Sequence, residues 1–252
     1  MDSNRQGEHG RAVLVAGASR GIGRALVRAL LQREDVARLF AVARDWSGAA
    51  LPEDPRLQLI TLDLTDDAAR EALAATLGEH CEQLDLVINT VGFLHEPEGQ
   101  QPEKNLRQVN MAALQRSFAI NAGIPILLAQ ALLPLLRGHR HCVFASLSAR
   151  VGSIGDNRLG GWYAYRASKA AQNMLMRTFA IEWRRLNRDS ICVLLHPGTT
   201  DTGLSAPFQA NVPEGKLFTP EFVAERLLTV IAERTPADSG NFYAWDGETI
   251  PW

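Results

Sequence analysis

The sequence predicts one α/β domain, built as a doubly wound parallel sheet of about seven strands. Three observations carry that prediction. Short apolar, β-branched runs alternate with longer stretches of helical spacing from residue 11 onward. The first of those runs ends in glycines and passes directly into a helix. No linker, repeat or shift in composition divides the 252 residues, and the 46% that are hydrophobic suffice for one sizeable core.

Residues 1–10, MDSNRQGEHG, are polar and lack the apolar segment of a signal peptide. They are expected to form a flexible tail before a domain spanning 11–252. Arg11 to Gly17, RAVLVAG, reads as a buried parallel strand. Gly17-Ala18-Ser19-Arg20-Gly21-Ile22-Gly23 follows, then RALVRALLQRE with helical spacing. Strand, glycine turn and helix in that order make a dinucleotide site of Rossmann type. The helix N-terminus offers free N–H groups and a positive dipole end to a pyrophosphate. Gly17, Gly21 and Gly23 let backbone and phosphate approach without a Cβ between them. The spacing is G-x-x-x-G-x-G rather than the commoner G-x-G-x-x-G.

Leu39 to Ala43 is the second strand. Where an acidic residue would bond a ribose 2′-OH, the chain has Ala43 followed by Arg44. Arg44 and Arg20 together suit a 2′-phosphate, so NADP is expected over NAD. Asp45 keeps open the alternative of two solvated surface arginines. Leu57 to Leu62 is the third strand, and Asp66 or Thr65 is placed to cap the helix DAAREALAATLGEH. Asp63 is placed to face an adenine amino group. Leu84 to Asn89 is the fourth strand, running into Thr90-Val91-Gly92 at the carboxyl edge of the sheet, where ligands bind in open α/β folds.

Pro102 to Leu136 reads as helical, in two stretches separated near Asn121-Ala122-Gly123. Asn121 sits in an apolar run and needs partners, either as a kink residue bonding the backbone or as a residue holding water near an active site. His141 to Ala145 is the fifth strand, followed by Ser146-Leu147-Ser148 and a glycine-rich loop to Trp162. Tyr163 then opens a helix ending near Asn187. Ser190 to His196 is the sixth strand, ended by Pro197-Gly198-Thr199. Residues 203–218 form a long loop without clear period, of the kind that is functional or mobile. Thr219 and Pro220 start the last helix, and NFYAW is the last strand.

The formal charge of -2 gives no footprint for nucleic acid. No run of 18 apolar residues is present, so no membrane span and a cytoplasmic location are expected. Cys81, Cys142 and Cys192 are odd in number and widely spaced, which argues against a disulfide framework or a zinc knuckle, and no metal site is expected.

Tyr165 and Lys169 lie four residues apart, on one face of a helix. An ammonium beside a phenol favours the phenolate and lowers its pKa. Such a tyrosine can exchange a proton with a carbonyl or alcohol oxygen.

Taken together, Gly17-x-x-x-Gly21-x-Gly23, Asp63-Leu64, Asn89-x-x-Gly92, Asn121, a serine after the fifth strand, Tyr165-x-x-x-Lys169 and Pro197-Gly198 resemble the short-chain dehydrogenase/reductase family, in the family's order over nearly the whole chain. The loop GSIGDNRLGGWYAYRASKAA and the Asp-Gly-x-x-x-Pro-Trp tail look like the subgroup of C-factor-like and sniffer-like carbonyl reductases. The resemblance implies an NADP-dependent oxidoreductase acting on a small carbonyl or alcohol substrate. Tyr165 would be the general acid in reduction and the base in oxidation. Lys169 would hold the nicotinamide ribose, and Asn121 would support a water-mediated proton relay. Gly17, Ser19, Gly21, Ile22 and Gly23 would line the pyrophosphate. Asp63 and Leu64 would meet the adenine, Asn89 and Gly92 the adenine ribose region, and Pro197, Gly198 and Thr199 the nicotinamide side. Counting back three residues from Gly152 reaches Ala149 rather than serine. Ser148 is therefore the expected catalytic serine, with Ser146 and Ser153 as alternatives. Ala16 stands in place of the family's threonine, and Thr90-Val91 in place of Asn-Ala. A homodimer or homotetramer through the long helices is also implied. The alternative is a non-enzymatic NADP-binding protein in signalling or redox sensing.

Overall fold

A computed structural model describes residues 10–96, 98–138 and 140–252; residues 1–9, most of the expected N-terminal tail, lie outside it. In chain order the elements are β1 (Arg11–Ala16), α1 (Gly21–Leu31), β2 (Val36–Ala43), β3 (Leu57–Thr61), α2 (Asp67–Gly78), β4 (Leu86–Asn89), α3 (Met111–Ser117), a π-helical turn (Phe118–Gly123), α4 (Ile124–Leu136), β5 (Cys142–Leu147), α5 (Tyr163–Leu186), β6 (Ser190–His196), β7 (Thr199–Thr200), β8 (Leu217–Phe218), α6 (Pro220–Ala232) and β9 (Phe242–Ala244). Seven strands form one sheet in the order β3-β2-β1-β4-β5-β6-β9, all neighbours parallel. The seven expected strands are these seven.

The central strands β1, β4, β5 and β6 are buried on both faces, which is why their sequences are continuously apolar, whereas the edge strand β3 (LQLIT) is only partly covered. Within β1, Val13 and Val15 face one layer, and Leu14 and Ala16 face the other. The first layer packs Leu26, Val27 and Leu30 of α1 with Val223, Leu227 and Val230 of α6. The second packs Leu73 of α2, Leu128 and Leu132 of α4, and Met176, Phe179 and Trp183 of α5. Trp183 is fully buried, and its indole N–H donates to the Leu136 carbonyl at 2.9 Å. From β1 the chain winds outward to β3, then returns to place β4 on the other side of β1. That reversal opens a crevice at the carboxyl ends of β1 and β4.

Helix ends follow the expected chemistry at α2, where Asp66 accepts from Ala69 N, and at α6, where Thr219 accepts from Phe222 N. The stretch expected to be helical from Pro102 is not. Asn105 caps a single 3-10 turn and Asn110 accepts from Ala113 N, so the helix proper starts at Met111. Asparagine side chains competing for backbone N–H groups set that late start. Met111–Leu136 is then helical throughout, 26 residues that are long and apolar enough to cross a membrane by length and composition. Half of its most apolar stretch of 18 residues is buried inside the fold, as in a core helix. Loop 203–218 contains a 3-10 turn, Ala206–Asn211, and is tied at its base by pairing of β7 with β8.

Candidate active site

The glycine loop closes the crevice from the β1 side. Gly17 and Gly21 have φ of 83° and 51°, in the left-handed region. A Cβ on Gly17 would lie 2.6 Å from Thr90 Oγ1, and one on Gly23 would overlap the Gly17 carbonyl oxygen. Thr90 Oγ1 donates to the carbonyls of Ala16 and Gly17 at 2.8 and 3.1 Å, so the end of β4 fastens the loop. Arg20, at the cap of α1, is extended and offers no side-chain cap. The first N–H groups of α1, from Gly21 through Ile22 and Gly23, thus have no side-chain acceptor from the cap residue. This cradle, which side chains would fill, fits a dinucleotide pyrophosphate.

Arg20 and Arg44 are both exposed, and neither forms an ion pair among the described residues. Asp45 does not engage Arg44. Its carboxylate accepts from the Ser47 N–H at 2.9 Å and from the Ser47 hydroxyl. Asp63 accepts from Thr65 N and Oγ1 at 2.9 and 2.8 Å. Those bonds, with Arg44 nearby, hold its carboxyl below the ordinary value. Leu64 beside it is buried.

On the other side of the crevice, α5 presents Tyr165 and Lys169. Lys169 Nζ lies 5.9 Å from the Tyr165 ring centroid. Burial pushes the Tyr165 phenol above its ordinary value and pushes the Lys169 amine down to about 7. The tyrosine is therefore shifted up rather than down as expected, because burial disfavours the phenolate. Lys169 Nζ donates to the Leu147 carbonyl at 3.1 Å and to Gln172 Oε1 at 2.9 Å.

Asn121 is fully buried in the π-helical turn. Its Oδ1 accepts from Phe93 N at 2.7 Å, and its Nδ2 donates to Phe93 O at 2.8 Å and to Ser168 Oγ at 3.0 Å. Ser168 Oγ in turn donates to the Tyr165 carbonyl at 2.8 Å. Asn121 therefore clamps the segment after β4 to the first turns of α5. A Cβ on Gly92 would sit 3.8 Å from Lys169 Nζ and 3.9 Å from Asn121 Oδ1, so these three residues converge.

The three serines separate by their partners. Ser146 Oγ accepts from Asn89 Nδ2 at 3.0 Å and from Gln172 Nε2 at 2.9 Å, bracing β4, β5 and α5 beneath the site. Ser153 Oγ accepts from Asp156 N at 3.1 Å and shapes its own loop. Ser148, one residue beyond β5 and 4% exposed, donates to Asn173 Oδ1 at 2.6 Å. Gln172 and Asn173 were not expected at the site. Their positions three and four residues beyond Lys169 place them on its side of the helix, and that spacing is the signal that would have found them.

Pro197 and Gly198 turn the chain out of β6. Gly198 has φ of 74°, and a Cβ there would lie 2.8 Å from the Phe218 ring and 3.1 Å from Trp245. Thr199 then starts β7. A series of rings runs away from Tyr165. Trp162 meets it edge-on at 6.2 Å, Phe208 lies 5.1 Å from Trp162, and His95 lies 5.5 Å from Phe208. The Arg116 guanidinium covers Phe93 at 4.9 Å.

This architecture has known relatives. Residues 11–213 match the family model described as short chain dehydrogenase. Over 244 residues the chain is 36% identical to the 1-hydroxy-2-glutathionyl-2-methyl-3-butene dehydrogenase of Rhodococcus sp. (strain AD45), covering 95% of this chain and 99% of that one. It is 37% identical over 147 residues to the C-signal protein of Myxococcus xanthus, covering 58% of this chain and 83% of that one. Among solved structures, the NADPH-bound carbonyl reductase from chicken fatty liver superposes with a TM-score of 0.84 at 30% identity, covering 97% of this chain and 100% of that one. Together with the glycine cradle and the Tyr165–Lys169 pair, these matches place the chain in the short-chain dehydrogenase family of NAD(P)-dependent oxidoreductases.

Proposed function

We propose that the protein is an NADP-dependent oxidoreductase that interconverts a small carbonyl compound and its alcohol, with Tyr165 as general acid and base. The observation that carries this reading is the convergence of Gly92, Asn121 and Lys169 beside Tyr165, on the far side of the crevice from the glycine cradle. Bound in that crevice, the dinucleotide supplies or accepts the hydride. The remaining work falls to the chain. Gly17, Ser19, Gly21, Ile22 and Gly23 hold the pyrophosphate, with Asp63, Leu64, Asn89 and Gly92 toward the adenosine and Pro197, Gly198 and Thr199 toward the nicotinamide. Arg20 and Arg44, free of carboxylate partners among the described residues, take the 2′-phosphate.

Tyr165 keeps its proton through the neutral range, because burial disfavours the phenolate. It is therefore poised to donate that proton to the oxygen of a carbonyl undergoing reduction. Lys169, with a pKa near neutrality, can pass a replacement proton toward the phenol and bind a ribose hydroxyl. Asn121 holds the backbone around that amine and supports the relay. Ser148, whose hydroxyl is held by Asn173, is the serine left to bond the substrate oxygen, because Ser146 and Ser153 serve the framework. Met174, Ile181 and Leu186 are exposed apolar residues on α5, and they support self-association through that helix face.

The test is turnover of NADPH with a panel of aldehydes, ketones and quinones, followed by loss of the reduced nicotinamide absorbance. Oxidation of cofactor with at least one compound is the expected result. Bound NADPH with no turnover on any compound would overturn the reading in favour of an NADP-binding signalling role.

A further inference from the structure

Helix α5 begins without a cap of its own. Its N-cap residue is Trp162, which has no side-chain acceptor, and no acidic residue lies in the first turn. Trp162 also has φ of 52°, the one left-handed non-glycine residue among the described residues. A Cβ makes that conformation costly, so the surroundings must impose it. Gly160 and Gly161 before it are left-handed too, with φ of 64° and 66°.

The missing cap comes from a distant segment. Glu103 Oε2 accepts from Ala164 N at 3.2 Å, and the Glu103 carbonyl accepts from Trp162 N. Glu103 is only 3% exposed, and its Oε1 is buried with no hydrogen-bond partner among the described residues. The carboxylate therefore faces the positive end of the helix rather than a counter-charge. From the opposite side, the Arg166 guanidinium donates to the carbonyls of Gly160, Gly161 and Val151 at 3.2, 3.0 and 3.3 Å. The left-handed turn is thus clamped by Glu103 at its N–H groups and by Arg166 at its carbonyls. What the clamp presents is an indole, edge-on to Tyr165 and 5.1 Å from Phe208.

We propose that Glu103 is a positioning residue that caps the catalytic helix from outside and so fixes Trp162 as the wall selecting flat aryl carbonyl substrates. The proposal rests on the oxidoreductase reading above and names the substrate class of the same site. A planar ring beside the reacting carbonyl gains offset or edge contact with the indole and with Phe208, which a puckered saturated ring of similar size does not. Those contacts count only while the indole stays where the clamp puts it.

The test compares NADPH-dependent reduction of benzaldehyde and cyclohexanecarbaldehyde by wild type, Glu103→Ala, Glu103→Gln and Trp162→Leu. NADPH affinity and Tm are measured on each protein. Wild type should prefer benzaldehyde. Glu103→Ala and Trp162→Leu should each lose about tenfold in kcat/KM on benzaldehyde, and about threefold or less on the saturated aldehyde, with NADPH affinity kept. Glu103→Gln should retain the preference, because its amide oxygen accepts the same helix N–H. An unchanged preference in Glu103→Ala, or an equal loss on both aldehydes, overturns the proposal. Should Glu103→Ala fail to fold, an unchanged preference in Trp162→Leu overturns it instead. Wild type that binds NADPH yet reduces neither aldehyde, nor any other carbonyl compound, overturns the oxidoreductase reading and this inference with it. Wild type that is active but indifferent between the two overturns only the inference.

Discussion

At Tyr165 the governing effect is desolvation. The phenol is 8% exposed, and burial raises its pKa, so the proton is available for donation across the neutral range. Tyr165→Phe removes that proton and leaves the ring packing. It should lower kcat for carbonyl reduction by about 10²–10⁴-fold with little change in NADPH affinity, measured by steady-state kinetics and fluorescence titration. Lys169 is shifted the opposite way, from an ordinary 10.5 down to about 7. Between those two values the unfolded chain carries one more proton than the folded chain. Stability due to this group therefore rises with pH across that window, and below about pH 7 the burial penalty is fully present. Denaturant unfolding of the protein without cofactor should show that rise, and Lys169→Met should lack it. The arginines test the cofactor choice. With Asp45 held by Ser47, neither Arg20 nor Arg44 forms an ion pair among the described residues, although the Asp63 carboxylate lies near Arg44. Replacing both with alanine should cost about 2–4 kcal/mol in NADPH binding and leave NADH binding nearly unchanged, as read by paired titrations.

At the scale of elements, what was legible in the sequence is what depends on local pattern. The central strands were readable because burial on both faces demands a continuous apolar run, and RAVLVA and CVFASL supply one without ambiguity. The cap of α2 and the start of α6 were readable because Asp66 and Thr219 act on residues only three positions away. The late start of α3 was not. Apolar spacing continues through Leu106, and only the geometry at Asn105 and Asn110 shows that their side chains take the N–H groups first. Asn121 was legible as a residue needing partners, but its partners were not, since Phe93 and Ser168 lie 28 and 47 residues away. A separation of 61 residues likewise hides the bond between Glu103 and the first turn of α5. Asn121→Ala would remove, from a π-helical turn of the kind common at functional sites, the partner of the partly buried Phe93 N–H and carbonyl. It should destabilise the fold by about 1–3 kcal/mol for each group left without a partner, and should lower kcat beyond what the lost stability explains. Urea unfolding alongside kinetics at a temperature well below the transition separates the two effects.

At the scale of the whole molecule, the reversal of strand order decides where these residues can act together. β1 leads into the glycine loop, and β4, its neighbour across the reversal, ends at Asn89 and leads into Thr90 and Gly92. Thr90 bonds the loop directly, so loop and sheet move as one body. A Cβ on Gly21 would lie 3.0 Å from the Thr202 methyl, so the same loop also touches the segment leading into 203–218. A dinucleotide seated there, as proposed, would contact both halves of the sheet and the base of loop 203–218, and would bind the folded chain alone. Saturation at about a hundred times Kd should therefore stabilise the fold by about 2.7 kcal/mol. For a chain of this length that corresponds to a rise in Tm of roughly 5–10 °C. Gly23→Ala tests whether the stabilisation passes through the cradle, because its Cβ would collide with the Gly17 carbonyl and push the loop into the pyrophosphate position. The variant should unfold at a lower temperature than wild type and show almost no further shift on adding NADPH. A full NADPH shift in Gly23→Ala, read by differential scanning fluorimetry over a range of cofactor concentrations, would place the dinucleotide elsewhere than at the β1–β4 crevice.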